Sequence, residues 1–255
     1  MQNQIKLSQF LILKYRFLTC ILFPYPIRIY FLLPRTLPIF EYRIIEINFM
    51  IELSLFEEQN DNKPHELNES FYRDKEFRNL IIKNKELKDK EFCKCRFISC
   101  NFFKFKFSSC EFENCTFQSC DLSLSRIGGS KFLAVTFNGS KTAGVDWRGI
   151  SQPSSFKFVD CKIDNSIFYR MDLRSINIIK CSAQNVDFVE ADLTKALFTN
   201  TDLSGSKFSR TNLSYADLSE SLNYNIDPNN NKLKKTIFSL PDAISLLSSF
   251  DIVIK

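Results

Sequence analysis

The side chains with the widest chemical repertoire in this sequence are its nine cysteines, and most of them fall on a regular beat. In "FISCNFFKFKFSSCEFENCTFQSC", Phe97 to Cys120, thiols stand at Cys100, Cys110, Cys115 and Cys120, with Cys93 and Cys95 just upstream and Cys161 and Cys181 further on. Closely spaced thiols admit a zinc site with four converging ligands, a ladder of disulfides, or no chemistry at all, each thiol acting as a compact apolar side chain. Other reactive groups are thin. His65 is the only histidine and lies in the polar run "EEQNDNKPHELNES", which reads as a solvated loop and not as the seat of a general base. The carboxylate pairs Glu111 with Glu113 and Glu190 with Asp192 read as outward positions of a solvated face. "IGGSK", Ile127 to Lys131, is followed by no helix signal and makes no phosphate loop. These residues point to no catalytic group, cofactor or metal, and the chain reads as a non-enzyme.

What the thiols do depends on the element that holds them, and that element repeats. From Phe77 a large apolar residue returns every fifth position: Phe77, Ile82, Leu87, Phe92, Phe97, Phe102, Phe107, Phe112, Phe117, Leu122, Ile127, Phe132 and Phe137. Thr142 interrupts with a small residue and Trp147 resumes. After a step of eleven residues instead of ten the series continues through Phe158, Ile163, Phe168, Leu173, Ile178, Ala183, Phe188, Leu193, Phe198, Leu203, Phe208, Leu213 and Leu218. Two places before each centre runs a second series of mostly small residues, among them Cys95, Cys100, Cys110, Cys115, Cys120, Cys161 and Cys181. The three remaining positions are polar or charged, with Asp or Asn often just before the centre, as in "EADLT", "NTDLS", "RTNLS" and "YADLS". A period of five is neither helical nor extended. With six glycines in 255 residues, the unit also turns without glycine.

In these motifs the sequence resembles the pentapeptide-repeat family, over roughly Tyr72 to Leu222. The resemblance implies an all-β fold, a right-handed quadrilateral β-helix with one pentapeptide per side and about twenty residues per coil. A side this short holds one large and one small inward residue, and coils stacked at about 4.8 Å let each main-chain polar group pair above or below. Seven coils then make a rod of roughly 35 Å. In this frame the seven cysteines of the small series are core residues, and Cys95 stacks with Cys115, Cys100 with Cys120, and Cys161 with Cys181. A wall packed with Phe leaves no tetrahedral space for zinc. Cys93 follows a centre and is expected outward, the one repeat thiol open to reagents. Abundant free thiols favour a reducing, cytoplasmic setting.

The ends differ from the middle. Residues 1–49 lack Gly, Ala, Val and Asp and are crowded with Ile, Leu, Phe, Tyr and Pro. The uncharged run Phe17 to Ile27 is too short to span a bilayer at about twenty residues, and no small-residue cleavage site follows it. Three readings stand: upstream sequence preceding a true start at Met50, a membrane-associating tail, or a signal sequence. Residues 50–71 read as a polar lead-in and N-terminal cap. In 223–255, Asp227-Pro228 marks a turn, "SLPDAISLLSS" places Ser239 as N-cap of a short helix with Pro241 in its first turn, and "FDIVI" reads as a strand. This segment caps the last coil; in some relatives a comparable element pairs two rods, which makes a homodimer through the C-terminal cap an expectation here. The step at Trp147 to Phe158 reads as a one-residue bulge, or as a partner-contacting loop like the longer ones of the quinolone-resistance branch.

Three functions follow: a protein-interaction scaffold with an unidentified protein partner, a DNA mimic acting on gyrase as in the quinolone-resistance branch, or membrane attachment through residues 1–49. Charge separates the first two. Residues 70–148 carry 15 Lys and Arg against 9 Asp and Glu, net +6, and residues 157–222 carry 8 against 9, net −1. A DNA mimic calls for an acidic rod, and direct nucleic-acid binding is disfavoured because inward aromatics cannot stack on bases. The candidate partner surface is Asp187, Asp192, Asp202 and Asp217, each just before a centre, where the family pattern itself places Asp. The structural centres expected inside are Phe92, Phe97, Phe102, Phe107, Phe112, Phe117, Phe132, Phe137, Phe158, Phe168, Leu173, Phe188, Leu193, Phe198, Leu203, Phe208, Leu213 and Leu218.

Overall fold

A five-residue side is too short to satisfy its own backbone, so every coil must pair with the coils above and below. The computed structural model describes residues 67–82, 84–250 and 252. These belong to the second of two compact units, Asn60–Lys255, the first being Met1–Gln59. The extension 1–49, most of the lead-in, and His65 lie outside the described residues.

The described residues wind into a four-sided β-solenoid of about eight turns. The first wall holds β1 (Phe71–Arg73), β4 (Glu91–Cys93), β7 (Glu111–Glu113) and β9 (Lys131–Leu133). The second wall is a six-stranded sheet of β2 (Glu76–Arg78), β5 (Arg96–Ile98), β8 (Thr116–Gln118), β10 (Val135–Asn138), β11 (Phe156–Val159) and β12 (Asn177–Ile179), extended further on by β13 (Asp217–Leu218) and β14 (Ile237–Phe238). The fourth wall starts with β3 (Glu86–Lys88) and β6 (Lys106–Ser108), and the third is made of isolated bridges such as Asn101 with Asp121. All pairing is parallel, and residues twenty apart face each other, as Phe92 faces Phe112. Stacking continues past Leu222, since Asn212 pairs with Lys232 and Leu218 with Phe238.

The centres meet inside. In the column Phe77, Phe97, Phe117, Phe137, Phe158, successive rings stack at 5.1, 4.7, 5.1 and 5.1 Å, and rings of adjacent walls meet edge-on. Each enclosed Phe contributes about 1.5–3 kcal/mol by burial.

Most corners are turned by a residue with positive φ two places after the centre. Among the described residues, twenty-six with positive φ are not glycine, against four that are. The strain of a left-handed L-residue, about 1–2 kcal/mol, is offset because its N–H donates to the next coil, as Asn114 N–H does to the Leu133 carbonyl at 2.8 Å. Gly205 is one corner where a Cβ would meet the Asn185 side-chain oxygen, so a larger residue there requires the Asn185 side chain to move.

The eleven-residue step inserts one residue into the coil, and the first-wall side is rebuilt around it. A short 3₁₀ turn, Trp147–Gly149, is capped by the Asp146 carboxylate, and residues 150–155 cross the first wall without a strand. Coils below and above pair at twenty residues, but across the step Phe137 faces Phe158 and Asp146 faces Ile167, twenty-one apart. No centre stands in the first wall at this level. Ile150, Phe156 and the indole of Trp147, stacked on Phe156 at 4.7 Å, fill the space instead.

At the C-terminal end a 3₁₀ helix, Asp242–Ser249, follows Pro241 with no side-chain cap. Ser239 is therefore not the N-cap. Its hydroxyl accepts from the Glu220 N–H at 2.9 Å, and Asp242 accepts from the Asn223 N–H at 3.1 Å, because the donors of the last coil have no further coil to pair with. The strand expected in "FDIVI" falls mostly outside the described residues.

Candidate functional site

All eighteen predicted centres are buried, Phe208 at 7% being the most exposed, so they form the interior and offer no surface. The thiols of the small series do more than fill space. Cys115 Sγ donates to the Phe92 carbonyl at 3.3 Å and Cys120 Sγ to the Phe97 carbonyl at 3.3 Å, each reaching a centre one coil back. Hydroxyls at equivalent positions do the same, Thr201 to Ile178 and Thr211 to Phe188, both at 2.9 Å. Ser140 Oγ also accepts from the Cys120 N–H, so the small position is a hydrogen-bonding rung between coils. A centre's carbonyl can serve twice, as that of Phe188 does for the Ala191 N–H and the Thr211 hydroxyl.

Eight cysteines are free and buried, and no group of three His, Cys, Asp or Glu suited to a metal occurs among the described residues. Burial raises the Cys115 thiol to about 12. In the stacked pairs, Cys120 and Cys181 are raised by the neighbouring thiols Cys100 and Cys161 and then by burial. Cys93, expected outward, is buried as well at 7%. Its short side chain lies in the first-wall row between Arg73 and Glu113, whose longer side chains flank it.

The four aspartates do not converge. Asp192 lies on the first wall beside Asp172 and Asn212, Asp217 on the second beside Leu197, Asp202 on the third beside Ser182, and Asp187 on the fourth beside Lys207. Each carboxylate accepts the N–H two residues on, from Val189, Thr194, Ser204 and Ser219 at 2.8–3.1 Å. Burial alone would raise the Asp202 carboxyl, but hydrogen bonds from Asn223, Ser204 and Gln184 bring it down to about 2. Glu190 is held low by Arg170 and Arg210, which grip it from the coils on either side. Glu111 and Glu113 stand exposed on the first wall, 111 facing Lys131 in the next coil. A shallow depression of about 410 Å³, lined by Val189, Gly205, Ser206, Lys207, Phe208, Ser209 and Asn225, brings only one ionisable group, Lys207, to its surface.

The walls differ in charge. Ionisable side chains crowd the first (Glu91, Glu111, Glu113, Lys131, Asp172, Arg174, Asp192), the third (Asp121, Lys141, Lys162, Asp164, Asp202) and the fourth (Lys106, Arg126, Asp146, Arg148, Asp187, Lys207). The second wall from β5 to Thr199 presents Arg96, Thr116, Thr136, Lys157, Asn177 and Leu197 in one row and Ile98, Gln118, Asn138, Val159, Ile179 and Thr199 in the other, with Arg96 and Lys157 as its charges. Sequence reasoning missed this wall, although reading the residues on either side of every fourth centre exposes it.

Comparison with known proteins agrees with this geometry. Residues 187–222 match the family model described as pentapeptide repeats, in eight copies. No curated protein matches the chain. A trypsin-treated variant of QnrB1, a plasmid-mediated fluoroquinolone resistance protein, is 17% identical with a TM-score of 0.52, over 72% of this chain and 97% of that one. HetL from the cyanobacterium Nostoc sp. strain PCC 7120, a pentapeptide-repeat protein involved in heterocyst differentiation regulation, is 14% identical with a TM-score of 0.36, over 66% and 82%. The likeness to QnrB1 shows a shared fold.

Proposed function

We propose that this chain, whose residues 187–222 match the pentapeptide-repeat model and whose fold is shared with QnrB1, works as a non-enzymatic scaffold that presents its flat walls to a protein partner. One observation carries this reading: the interior is filled by stacked side chains, while outward ionisable groups such as Glu190, Asp202 and Asp172 are engaged by their own neighbours. Groups held in this way display a shape and do not exchange protons with a substrate. Eight free thiols suit a reducing compartment, and we place the protein in the cytoplasm. Among the described residues no helix is long and apolar enough to cross a membrane.

The apolar row Leu240, Ile244, Leu247 and Phe250, exposed at the C-terminal end, supports a homodimer through that end. A monomer mass by light scattering at micromolar concentration would exclude it.

QnrB1 is named for fluoroquinolone resistance, and a gyrase-directed mimic is the alternative to a general scaffold. The dispersal of Asp187, Asp192, Asp202 and Asp217 over four walls, and the net +6 of residues 70–148, give no acidic face to stand in for DNA. We expect the full chain at low micromolar concentration neither to inhibit gyrase supercoiling nor to protect it from quinolones. Protection that disappears when Asp192, Asp202 and Asp217 are replaced by Lys would establish the mimic instead.

A further inference from the structure

The third wall and its corner with the fourth carry apolar side chains that the core does not use. Of the twenty-six residues other than glycine with positive φ, only Leu124 and Tyr215 have a large apolar or aromatic side chain. Leu124 is 47% exposed and lies across Gly144, its Cδ2 standing 2.6 Å from where a Cβ of Gly144 would be. Phe103, 38% exposed, stands one coil below with Lys104 Nζ 5.2 Å from its ring centre, and Ile81, 40% exposed, lies one coil lower still. An exposed apolar side chain on each of three successive coils marks a contact surface. Its rim is basic. Glu86 pairs with Lys106 at 2.8 Å, Asp89 with Lys88 at 3.8 Å and Asp146 with Arg148 at 2.6 Å. Among the described residues of these two walls and coils, that leaves Lys85, Lys104, Arg126 and Lys141 without an ion pair, against Asp121 alone, whose carboxylate accepts the Ser123 N–H. We propose that this surface, Ile81, Phe103 and Leu124 rimmed by those four cations, is a docking site for an acidic segment of a partner protein. Apolar side chains of the segment meet the three on the wall, and its carboxylates meet the cations. The inference rests on the scaffold reading and adds where the partner docks and by what chemistry.

Charge and shape together select the occupant. A second copy joined through the same surface would set the four cations against their own equivalents, a like-charged contact that costs free energy. A nucleic-acid backbone would answer the cations but leave Ile81 and Leu124 against phosphate, with nothing apolar to bury them. An anionic bilayer takes apolar side chains about 5–10 Å deep, and these three, each more than half covered by the wall, do not stand out that far. An acidic protein segment satisfies both halves of the surface. Aromatic and aliphatic side chains at the centre with charge at the rim are the make-up of a protein contact, and opposite charge steers such a partner in. Salt therefore weakens the association.

The test uses the full chain in four forms: wild type, an apolar variant (Phe103→Gln, Leu124→Asn), a charge variant (Lys104→Glu, Arg126→Glu), and a control with both kinds of change at the other basic corner (Tyr215→Asn, Lys195→Glu, Lys235→Glu). All these positions are exposed, Asn suits a left-handed corner, and circular dichroism with thermal melting verifies that each form is folded. Immobilised wild type is offered a random linear peptide library displayed on phage, and the peptides it enriches are synthesised and titrated against all four forms by fluorescence anisotropy. The expected peptides combine Asp or Glu with Leu, Ile or Phe and bind saturably. Their affinity falls by about tenfold or more in both the apolar and the charge variant, stays within about threefold in the control, and drops as NaCl rises from about 0.15 to about 0.5 M. Enriched peptides that are basic or uncharged, or acidic ones that the two variants bind as well as wild type does, would overturn the docking site and leave the scaffold standing. Binding lost only in the control would do the same. Sedimentation with phosphatidylserine vesicles and a gel shift with a DNA duplex complete the test: uptake of either by wild type, abolished in the charge variant, would assign the surface to lipid or nucleic acid and overturn the proposal. If wild type enriches no peptide at all, the scaffold reading itself fails, and the docking site falls with it.

Discussion

Phe112 is enclosed by rings on all sides, stacked between Phe92 and Phe132 and edge-on to Phe107 and Phe117. Phe112→Ala should cost about 3–5 kcal/mol in urea unfolding, as core truncations of this size do. Its neighbour Glu113 faces out, and Glu113→Ala should stay within about 0.5 kcal/mol; equal losses at both positions would overturn the register. Because Cys93 shares the burial of the other seven thiols, Ellman's reagent should leave all eight described cysteines unmodified in the folded protein and label them together on unfolding. Fast, selective labelling of Cys93 would show that its cover opens. Asp202 provides a pH test whose sign is set by its lowered carboxyl. The stability it adds is complete above the unfolded value of 3.8 and drains away as pH falls through about 2. Asp202→Asn should therefore be less stable than wild type at pH 6, by about 1 kcal/mol or less since the group is partly solvated, and the gap should narrow by pH 3. A gap that widens on acidification would contradict the assignment.

The corner rungs are tested at Thr201, whose hydroxyl donates to the Ile178 carbonyl at 2.9 Å and accepts from the Cys181 N–H at 3.3 Å. Thr201→Val keeps the shape but strands two buried backbone groups, and should cost about 1–3 kcal/mol. Thr201→Ser should cost much less, and hydrogen exchange at the Cys181 amide should quicken only in the valine form. Much of the coil was legible in the sequence because both inward positions repeat every five residues: Phe92, Phe112 and Phe132 announce one wall, and Cys95 and Cys115 the corner beside it. The rungs were not legible, since the type of Cys115 or Thr201 does not say which carbonyl lies one coil away. Cys93 was misplaced because outward rows were read one residue at a time, whereas its cover comes from residues twenty positions distant in either direction. At the step, the spacing of Trp147 and Phe158 betrayed one extra residue, yet Ile150 and Phe156 stand in for the missing centre from positions outside the beat. Ser239 looked like a helix cap because the demand for acceptors at the end of a solenoid is invisible in local sequence.

At the scale of the whole molecule, a solenoid is held by contacts between adjacent coils, so its stability is close to a sum of local and nearest-neighbour contributions. The coil at the step breaks the regular spacing: its first-wall side, residues 150–155, forms no strand and bonds to Ser130 and Phe132 of the coil below. It also contains Trp147, the only tryptophan in the chain, buried and stacked near Phe156 and Phe168. A fluorophore thus stands at the joint where the coil spacing changes, and ultraviolet excitation at the red edge of protein absorption addresses that joint alone. Circular dichroism averages over every coil. On slow heating, the emission of Trp147 should shift to the red before the β signal is lost, and coincident midpoints would mean that the joint is as strong as the coils on either side. The protein thereby reports, without any label, whether its two halves melt as one body or part first at a seam.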